Sequence, residues 1–414
     1  MPGPEGEIPA TAVPRPPSAP VAPAERLPLL DILRGFAVFG ILVVNVLFFS
    51  GPFEWVIAPP WQSWPDRVAD LVIAGLFTGK FYSIFSILFG LGFAMQMERA
   101  EARGAAGTGT YARRLVILLA IGILHAAFLW YGDILHLYAV LGFFLLFFRR
   151  SGLGAIAPAV MIGLAIPPGL AALGAIAMSF APAGTGAGNE AAEMFRTAEA
   201  LRAYGAGTWL ELTRHRVRDW LMLDSFAIFF APNVFAMMLI GVAAAKARIF
   251  HDLAARRPFF RRALYAAVVP GVLGNAFIAA TRDVLDPVVP SLLTVAVTAV
   301  QAIAVPSLAI VYISAIALAA GSARGARLLA PLAPVGRMAL TNYLLQSVIA
   351  TLIFYSYGLG LFGRVGPATT TGLAVAIFAA QVVASGWWMK RFRFGPAEWV
   401  WRSFTYGRAQ TMRA

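Results

Sequence analysis

Two histidines and an aspartate in the stretch HAAFLWYGDILH carry the clearest potential for acid–base chemistry in this sequence. If the chain turns back at Gly132, His125 and Asp133 approach each other, as a general base approaches the carboxylate that orients it. His136 lies one helical turn after Asp133, on the same face. The alternative interpretation is an interfacial aspartate that caps a helix, beside a histidine bonded to a backbone carbonyl.

A second polar group lies in RLPLLDILRGFAVFGILVVN, where Asp31, Arg34 and Asn45 interrupt an apolar run. At about 100° per residue, the three side chains project from one side of a helix. An ionised side chain at membrane depth costs about 3 kcal/mol or more, and it persists only when it is paired or faces water. We therefore expect this polar stripe to line an interior cavity. The alternative is that Asp31 and Arg34 cap the helix and that Asn45 bonds a neighbouring helix.

The stretch GRMALTNYLLQS contributes a third group of candidates. Asn342 and Gln346 are one turn apart on a predicted helix, and Arg337 lies near its start. We interpret these three residues as candidate substrate-binding groups, together with Trp130 and Tyr138 from the histidine-containing stretch. Trp130 fits an aromatic belt at a membrane interface equally well.

The elements that hold these groups must be membrane helices. Of the 414 residues, 59% are hydrophobic and only 13% are charged, and the mean hydropathy is +0.74. Apolar runs long enough to cross about 30 Å of hydrocarbon recur along the chain. The sequence therefore predicts an all-α, polytopic transmembrane helix bundle of about ten spans. The predicted spans are 30–50, 72–97, 114–131, 133–148, 153–179, 225–246, 262–281, 290–319, 334–357 and 369–389.

The chain divides into a membrane domain and two tails. Residues 1–28 are rich in proline and predict a disordered cytoplasmic tail, residues 29–395 form one membrane domain, and residues 396–414 form a cytoplasmic tail. Most Lys and Arg residues fall in alternate connecting segments, which predicts a multi-pass protein of the plasma (inner) membrane with both termini in the cytoplasm. The long outer loop at 181–224 predicts short amphipathic helices, either as a connector or as a lid over a site.

Several other classes of function are excluded by composition. The sequence has no cysteine, which rules out disulfides and thiolate nucleophiles. Its four histidines are too scattered for a metal-binding motif, so no metal site is expected. Basic residues that flank membrane spans account for the net charge of +13, and no nucleic-acid partner is expected.

Five motifs, in order, make the sequence resemble the YeiB-like membrane proteins of the domain-of-unknown-function 418 family. They are RLPLLDILRGFAVFGILVVN, FYSIFSILFGLGF, HAAFLWYGDILHLYAVLG, GRMALTNYLLQSVI and GPAEWVWRSFTYG. The resemblance covers nearly all of the chain from residue 26 onward and implies a membrane-helix fold.

The first of these motifs is also similar to that of transmembrane acyltransferases, which include the O-antigen and peptidoglycan O-acetylases and the lysosomal heparan-glucosaminide N-acetyltransferase. Those enzymes transfer an acyl group from cytoplasmic acyl-CoA to an acceptor on the far side, with a membrane-buried histidine in the chemistry. Asp31 and Arg34 match the acidic residue and the arginine of their DxLRG motif. Asn45 stands where the O-acetylases carry a histidine, so the resemblance implies that His125 takes over as the base.

The residues and the resemblance together predict a membrane-bound acyltransferase, with acyl-CoA or acetyl-CoA as a co-substrate and no tightly bound cofactor. Guanidinium groups bind phosphate through two parallel hydrogen bonds. The phosphates of a CoA ester would therefore suit the arginines of the inner face, which include Arg34, Arg113, Arg114 and Arg337.

From Arg34 the acyl arm would run along the first helix past Asn45, a distance of about 16 Å. His125 would deprotonate a hydroxyl or amine of a small-molecule, glycan or lipid acceptor, and Asp133 would orient His125. Asn45 or Asn342 would donate a hydrogen bond to the developing oxyanion.

Two other functions fit the same residues. A small-metabolite transporter or exporter would use the polar interior without covalent chemistry. A non-catalytic membrane scaffold would need the polar groups only for stability. The sequence does not identify the acceptor or the oligomeric state, and a homodimer is one alternative. Membrane lipid is an expected partner.

Overall fold

The fold consists of helices. The structure, a computed structural model, describes residues 27–57, 59–104, 107–182, 189–285 and 289–413. Nearly all of the predicted N-terminal tail, residues 1–26, lies outside this part of the chain. The first nine α-helices are α1 (Pro28–Ser50), α2 (Phe53–Ile57), α3 (Trp64–Val72), α4 (Lys80–Ala102), α5 (Thr108–Phe128), α6 (Leu135–Leu145), α7 (Leu153–Ser179), α8 (Asn189–Ala206) and α9 (Trp209–Ser225). The others are α10 (Ala227–Lys246), α11 (Arg257–Thr281), α12 (Leu292–Ala320), α13 (Ala323–Leu329), α14 (Leu332–Arg337), α15 (Ala339–Phe354), α16 (Pro367–Met389) and α17 (Pro396–Tyr406).

The helices agree with the ten spans predicted from hydropathy. In the described part of the chain, eight helical segments are long and apolar enough to cross a membrane. The other two predicted spans, 133–148 and 334–357, correspond to the shorter apolar helices Leu135–Phe148 and Ala339–Phe354. The prediction of an all-α polytopic bundle is therefore confirmed.

The predicted second span is interrupted close to its start. A π-helical turn, Ile73–Phe77, follows α3, and Gly79 then adopts a φ of +89°. Glycine suits this position because a side chain would strain a left-handed backbone. Lys80 begins α4 in a buried position, where its Nζ donates to the Ala74 carbonyl at 3.0 Å. The Ile73–Phe77 turn therefore supplies the carbonyl that binds the ammonium group of Lys80 at the start of α4.

Glycines allow two pairs of helices to pack with their backbones in contact. A methyl group on Gly90 of α4 would lie 1.8 Å from the Met238 carbonyl oxygen, and one on Gly241 of α10 would lie 1.9 Å from that of Ile87. Gly336 of α14 approaches the Asp31 carbonyl of α1 equally closely. Small residues of this kind let membrane helices associate through close van der Waals contact.

The long loop predicted at 181–224 contains α8 and α9. Thr208 begins α9 with a capping box, because its hydroxyl accepts from the Glu211 amide and the Glu211 carboxylate accepts from the Thr208 amide. The Tyr204 ring at the end of α8 packs on Tyr355, 4.8 Å away, and the Ser356 hydroxyl donates to the Gly207 carbonyl at 2.7 Å. These contacts fix the α8–α9 pair over one end of the bundle.

The C-terminal segment 396–414 begins with a helix that packs on the membrane domain. The Glu398 carboxylate accepts the backbone amides of Leu340 and Thr341 at 2.7 and 3.1 Å, and therefore caps the start of α15. Burial raises the pKa of this carboxyl group. The Trp401 indole donates to the Arg114 carbonyl at 2.9 Å. Helix α17 therefore ties α5 and α15 together.

Candidate functional site

His125 is held through both of its ring nitrogens. Its Nδ1 lies 2.8 Å from Oδ1 of Asp133, and its Nε2 lies 2.8 Å from Oγ of Ser347. Because an ionised carboxylate only accepts, the proton on the neutral ring belongs on Nδ1, and Nε2 is left to accept from the Ser347 hydroxyl. His125 is only 2% exposed. A hydroxyl, an imidazole and a carboxylate are thus aligned in a buried setting.

The chain of polar contacts continues through His136 to a second carboxylate. Oδ2 of Asp133 accepts both the backbone amide and Nδ1 of His136, at 2.9 and 2.8 Å. Nε2 of His136 lies 2.9 Å from Oδ1 of Asp224. Both ring nitrogens of His136 face a carboxylate, so both can donate only if the ring is protonated on both nitrogens; with a neutral ring, one of the two carboxyl groups must supply the proton of its own contact. The Asp224 side chain is 36% exposed. We call the series Ser347–His125–Asp133–His136–Asp224 the relay.

Local sequence explains the geometry of the α5–α6 turn. Helix α5 ends at Phe128, and the chain reverses around Gly132 before α6 begins at Leu135. A side chain at Gly122 would collide with the His136 amide and the Asp133 carboxylate, so glycine is required for their approach to α5. Asp133 accepts the His136 amide and thereby caps the first turn of α6. His125 and Asp133 are therefore in contact, as the turn at Gly132 predicts.

Aromatic rings lie beside His125, with the centres of Trp130 and Tyr343 at 6.4 and 5.1 Å. Trp130 is buried and stacks on Phe49 at 4.3 Å, so it does not face lipid as an aromatic-belt residue would. Its indole Nε1 has no hydrogen-bond partner among the described residues. Asn45 lies one turn before Phe49 on the same face of α1, and its side chain makes no hydrogen bond within the described chain. One buried polar atom without a partner in the described chain, Nε1 of Trp130, therefore belongs to a ring beside His125.

The predicted phosphate-binding arginines collect at the opposite end of α1 and α5. Arg34 pairs with Asp31 at 2.8 Å and lies within electrostatic range of Arg114. The Arg114 guanidinium stacks over Trp401, 4.2 Å from the ring centre. Arg113 lies against Gly407, and Arg337 ends α14, which packs on α1 beside Asp31. We call Arg34, Arg113, Arg114 and Arg337 the arginine cluster.

Three predicted substrate-binding residues make side-chain hydrogen bonds to residues other than His125. Nδ2 of Asn342 donates to Ser385 at 3.0 Å and to the Val335 carbonyl at 3.3 Å. Gln346 donates to Gln381 at 2.8 Å. The Tyr138 hydroxyl contacts Ser86 at 2.7 Å. These groups join α15 to α16 and α6 to α4.

The sequence interpretation missed Ser347 and did not connect Asp224 with the histidines. Ser347 stands at the end of the motif that supplied Asn342 and Gln346, but a serine in an apolar helix is a weak signal by itself. Asp224 immediately precedes the predicted span 225–246, and its partner His136 lies 88 residues away in the chain. Only the folded arrangement brings either residue to the histidines.

Comparison with known proteins finds one family model and relatives in Bacillus subtilis and Escherichia coli. A family model described as "Protein of unknown function (DUF418)" matches residues 244–408. The protein YxaH of Bacillus subtilis (strain 168) is 35% identical over 402 residues, which cover 92% of this chain and 94% of YxaH. YeiB of Escherichia coli (strain K12) is 28% identical over 399 residues, covering 92% of this chain and 96% of YeiB. Both are described as uncharacterized proteins.

Proposed function

This chain belongs to the DUF418 family and is a multi-pass membrane protein, and we propose that it transfers an acyl group from acyl-CoA to an acceptor at or beyond the outer leaflet. The observation that carries the proposal is the contact of His125 with Ser347 and with Asp133, each at 2.8 Å. A hydroxyl beside a base that a carboxylate orients is the arrangement that activates serine for acyl transfer.

The first half-reaction forms an ester on Ser347. Nε2 of His125 takes the hydroxyl proton of Ser347 while Oγ attacks the carbonyl carbon of the thioester. The carbon–sulfur bond breaks, the departing thiolate takes the proton from His125, and CoA leaves as the thiol. The acyl group is then held in the interior of the bundle, between the two faces of the membrane.

The second half-reaction transfers the acyl group to the acceptor. An acceptor hydroxyl or amine gives its proton to His125 and attacks the ester carbonyl, and Oγ of Ser347 leaves with that proton. Both intermediates carry an oxyanion that needs a hydrogen-bond donor. Asn45 is the better candidate for this role, because its side chain is not hydrogen-bonded in the described chain, whereas Asn342 already donates to Ser385 and Val335.

The arginine cluster supplies the donor end of the proposed path. Arg34 and Arg114 lie near the starts of α1 and α5, within electrostatic range of each other, and Phe49 near the end of α1 stacks on Trp130, which follows α5. The helix from Arg34 to Asn45 rises about 16 Å, which is comparable with the length of a pantetheine arm. In this proposal the cluster binds the CoA phosphates in the cytoplasm, both termini are cytoplasmic, and the bilayer is the plasma (inner) membrane.

The test uses purified protein in detergent with acyl-labelled acetyl-CoA. Wild type should release CoA and transfer label to an added acceptor pool of membrane lipids and glycans. His125→Asn should lower the rate about 10²–10⁴-fold, since it removes the base. His251→Asn is the matched control, because His251 is exposed and lies outside the relay. Full activity of a folded His125→Asn protein would contradict the proposal.

A second candidate function is a proton-coupled transporter. The observation that favours it is the continuation of the relay from buried Asp133 through His136 to partly exposed Asp224. Chains of carboxylates and histidines in membrane proteins form proton pathways. Flux of a small metabolite into proteoliposomes that contain no acyl donor, abolished by His136→Gln, would favour transport over acyl transfer.

A further inference from the structure

Arg216 is a fully buried arginine that has no carboxylate partner in the part of the chain that the structure describes. It lies on α9 with 0% of its surface exposed, and its Nη1 donates to the Ala127 carbonyl at 3.2 Å. Its Nε and Nη2 have no hydrogen-bond partner among the described residues. The Trp209 ring lies 5.5 Å from the guanidinium carbon and provides a cation–π contact. The guanidinium group therefore has one hydrogen bond and one ring contact, and most of its N–H donors have no acceptor.

Such an arrangement is costly unless an anion completes it. Buried charges in proteins are paired, since the loss of hydration is otherwise uncompensated. Two other polar groups beside Arg216 are also buried and unpartnered: the hydroxyls of Tyr355 and Thr213. Tyr355 lies within electrostatic range of Arg216, and Thr213 precedes it by one turn on α9. The unsatisfied donors of Thr213 and Tyr355 therefore lie around the Arg216 guanidinium.

This place lies next to the relay. The Ala127 carbonyl that Arg216 binds follows His125 by two residues on the same helix. Ser347 and Tyr355 are two helical turns apart along α15 and its C-terminal cap, which corresponds to about 12 Å. A molecule held at Arg216 could thus present a group at that distance to His125 and Ser347.

We propose that Arg216, with the hydroxyls of Tyr355 and Thr213, binds an oxyanion group of the acyl acceptor, a phosphate or a carboxylate. The assignment to the acceptor rests on the proposed function; the assignment of an anion site does not. Trp209 and Tyr357 pack at 5.2 Å and are 51% and 37% exposed, so this pair covers the site on its outer side. Helix α9 is then a lid that carries the anion-binding residue, not merely a connector.

Thermal unfolding of the full-length protein in detergent tests the anion site. Inorganic phosphate, compared with chloride at equal ionic strength, should raise the Tm of wild type by an amount that grows with the logarithm of phosphate concentration. Arg216→Met should lose this response. Its Tm without phosphate should equal or exceed that of wild type, because it removes an unpaired buried charge. Arg214→Met is the matched control on the exposed face of α9 and should behave as wild type.

Tyr355→Phe provides a second variant that keeps the packing of the ring. It should fold as wild type does and respond more weakly to phosphate. An unchanged phosphate response in Arg216→Met, or no response in wild type, would overturn the site. So would a Tm of Arg216→Met far below that of wild type in chloride together with a wild-type response in Tyr355→Phe, since Arg216 would then be a structural residue.

Two further probes distinguish the source of the anion. Glycerol 1-phosphate carries the group on a soluble molecule, and mixed micelles with phosphatidylglycerol carry it on a lipid. The probe that raises the Tm of wild type, but not of Arg216→Met, at the lower concentration identifies the class of acceptor. Because these readouts need no acyl transfer, a wild type that binds phosphate but transfers no acyl group would contradict the proposed function and leave the anion site standing.

Discussion

Ser347, His125 and Asp133 come from three separate positions in the chain, and each contact restricts the next. Asp133 fixes the proton of His125 on Nδ1, and this leaves Nε2 as the acceptor that faces Ser347. The turn at Gly132 is local, so the approach of His125 to Asp133 could be predicted from sequence. Ser347 lies 222 residues from His125 in the chain, and no local pattern indicates that they meet.

At the residue scale, the first prediction concerns Ser347. Ser347→Ala should abolish both acyl transfer and the covalent label that wild type retains after labelled acyl-CoA is added without acceptor. Ser347→Cys should still take up label, as a thioester that hydroxylamine cleaves at neutral pH. Because the chain has no cysteine, that chemistry would report on position 347 alone. Transfer by Ser347→Ala at the wild-type rate would show that His125 activates the acceptor directly.

At the element scale, α9 carries two titratable groups whose contributions to stability change with pH in opposite directions. Burial raises the pKa of Asp219 to about 6 and lowers the pKa of His215 to about 4. These two residues and the nearby Arg218 and Glu54 line a cavity of about 40 Å³ between α2, α8 and α9. That volume admits a few water molecules. Opening of the α8–α9 pair would expose both groups to solvent.

We expect the stability of the folded α8–α9 pair to vary little between pH 4 and pH 6. Folded Asp219 keeps a proton that the opened segment loses, so its contribution falls as the pH rises. Folded His215 stays neutral while the opened segment binds a proton, so its contribution rises over the same interval. Each unit of pKa shift corresponds to about 1.4 kcal/mol.

Hydrogen exchange of the α8–α9 amides, corrected for the intrinsic rates, measures this balance. Asp219→Asn should leave only the rise of stability with pH, and His215→Gln should leave only the fall. Parallel pH profiles for the two variants would contradict the opposed titrations.

Helix packing gives a second prediction at this scale. Gly90 faces the backbone of α10, whereas Gly92 on the same helix has nothing within 4 Å of an added methyl group. Gly90→Ala should therefore destabilise the protein by about 1–3 kcal/mol through overpacking. Gly92→Ala should stabilise it by about 0.5–1 kcal/mol through helix propensity. Thermal unfolding in detergent checks the two signs, and equal effects would mean that α4 and α10 do not meet at Gly90.

At the scale of the whole molecule, hydropathy was sufficient to place the helices, because the hydrocarbon thickness sets the length of each apolar run. It could not place the docking of α17, since that depends on particular contacts, such as that of Glu398 with α15. The same limit applies to Arg216, whose burial follows from the packing of α9 on α5. From sequence alone, a charged residue in a helix of mixed charge is expected to face solvent.

The orientation of the bundle is the last prediction, and the absence of cysteine makes it directly measurable. Arg150 and Arg408 belong to the basic segments predicted to face the cytoplasm, and Arg202 belongs to α8 in the loop predicted to lie outside. All three side chains are exposed. A membrane-impermeant maleimide should label Arg202→Cys in intact cells. It should label Arg150→Cys and Arg408→Cys only after permeabilisation, with the cysteine-free wild type as the blank. The reverse pattern would put the arginine cluster outside, where cytoplasmic acyl-CoA cannot reach it, and the direction of acyl transfer proposed for the relay would be wrong.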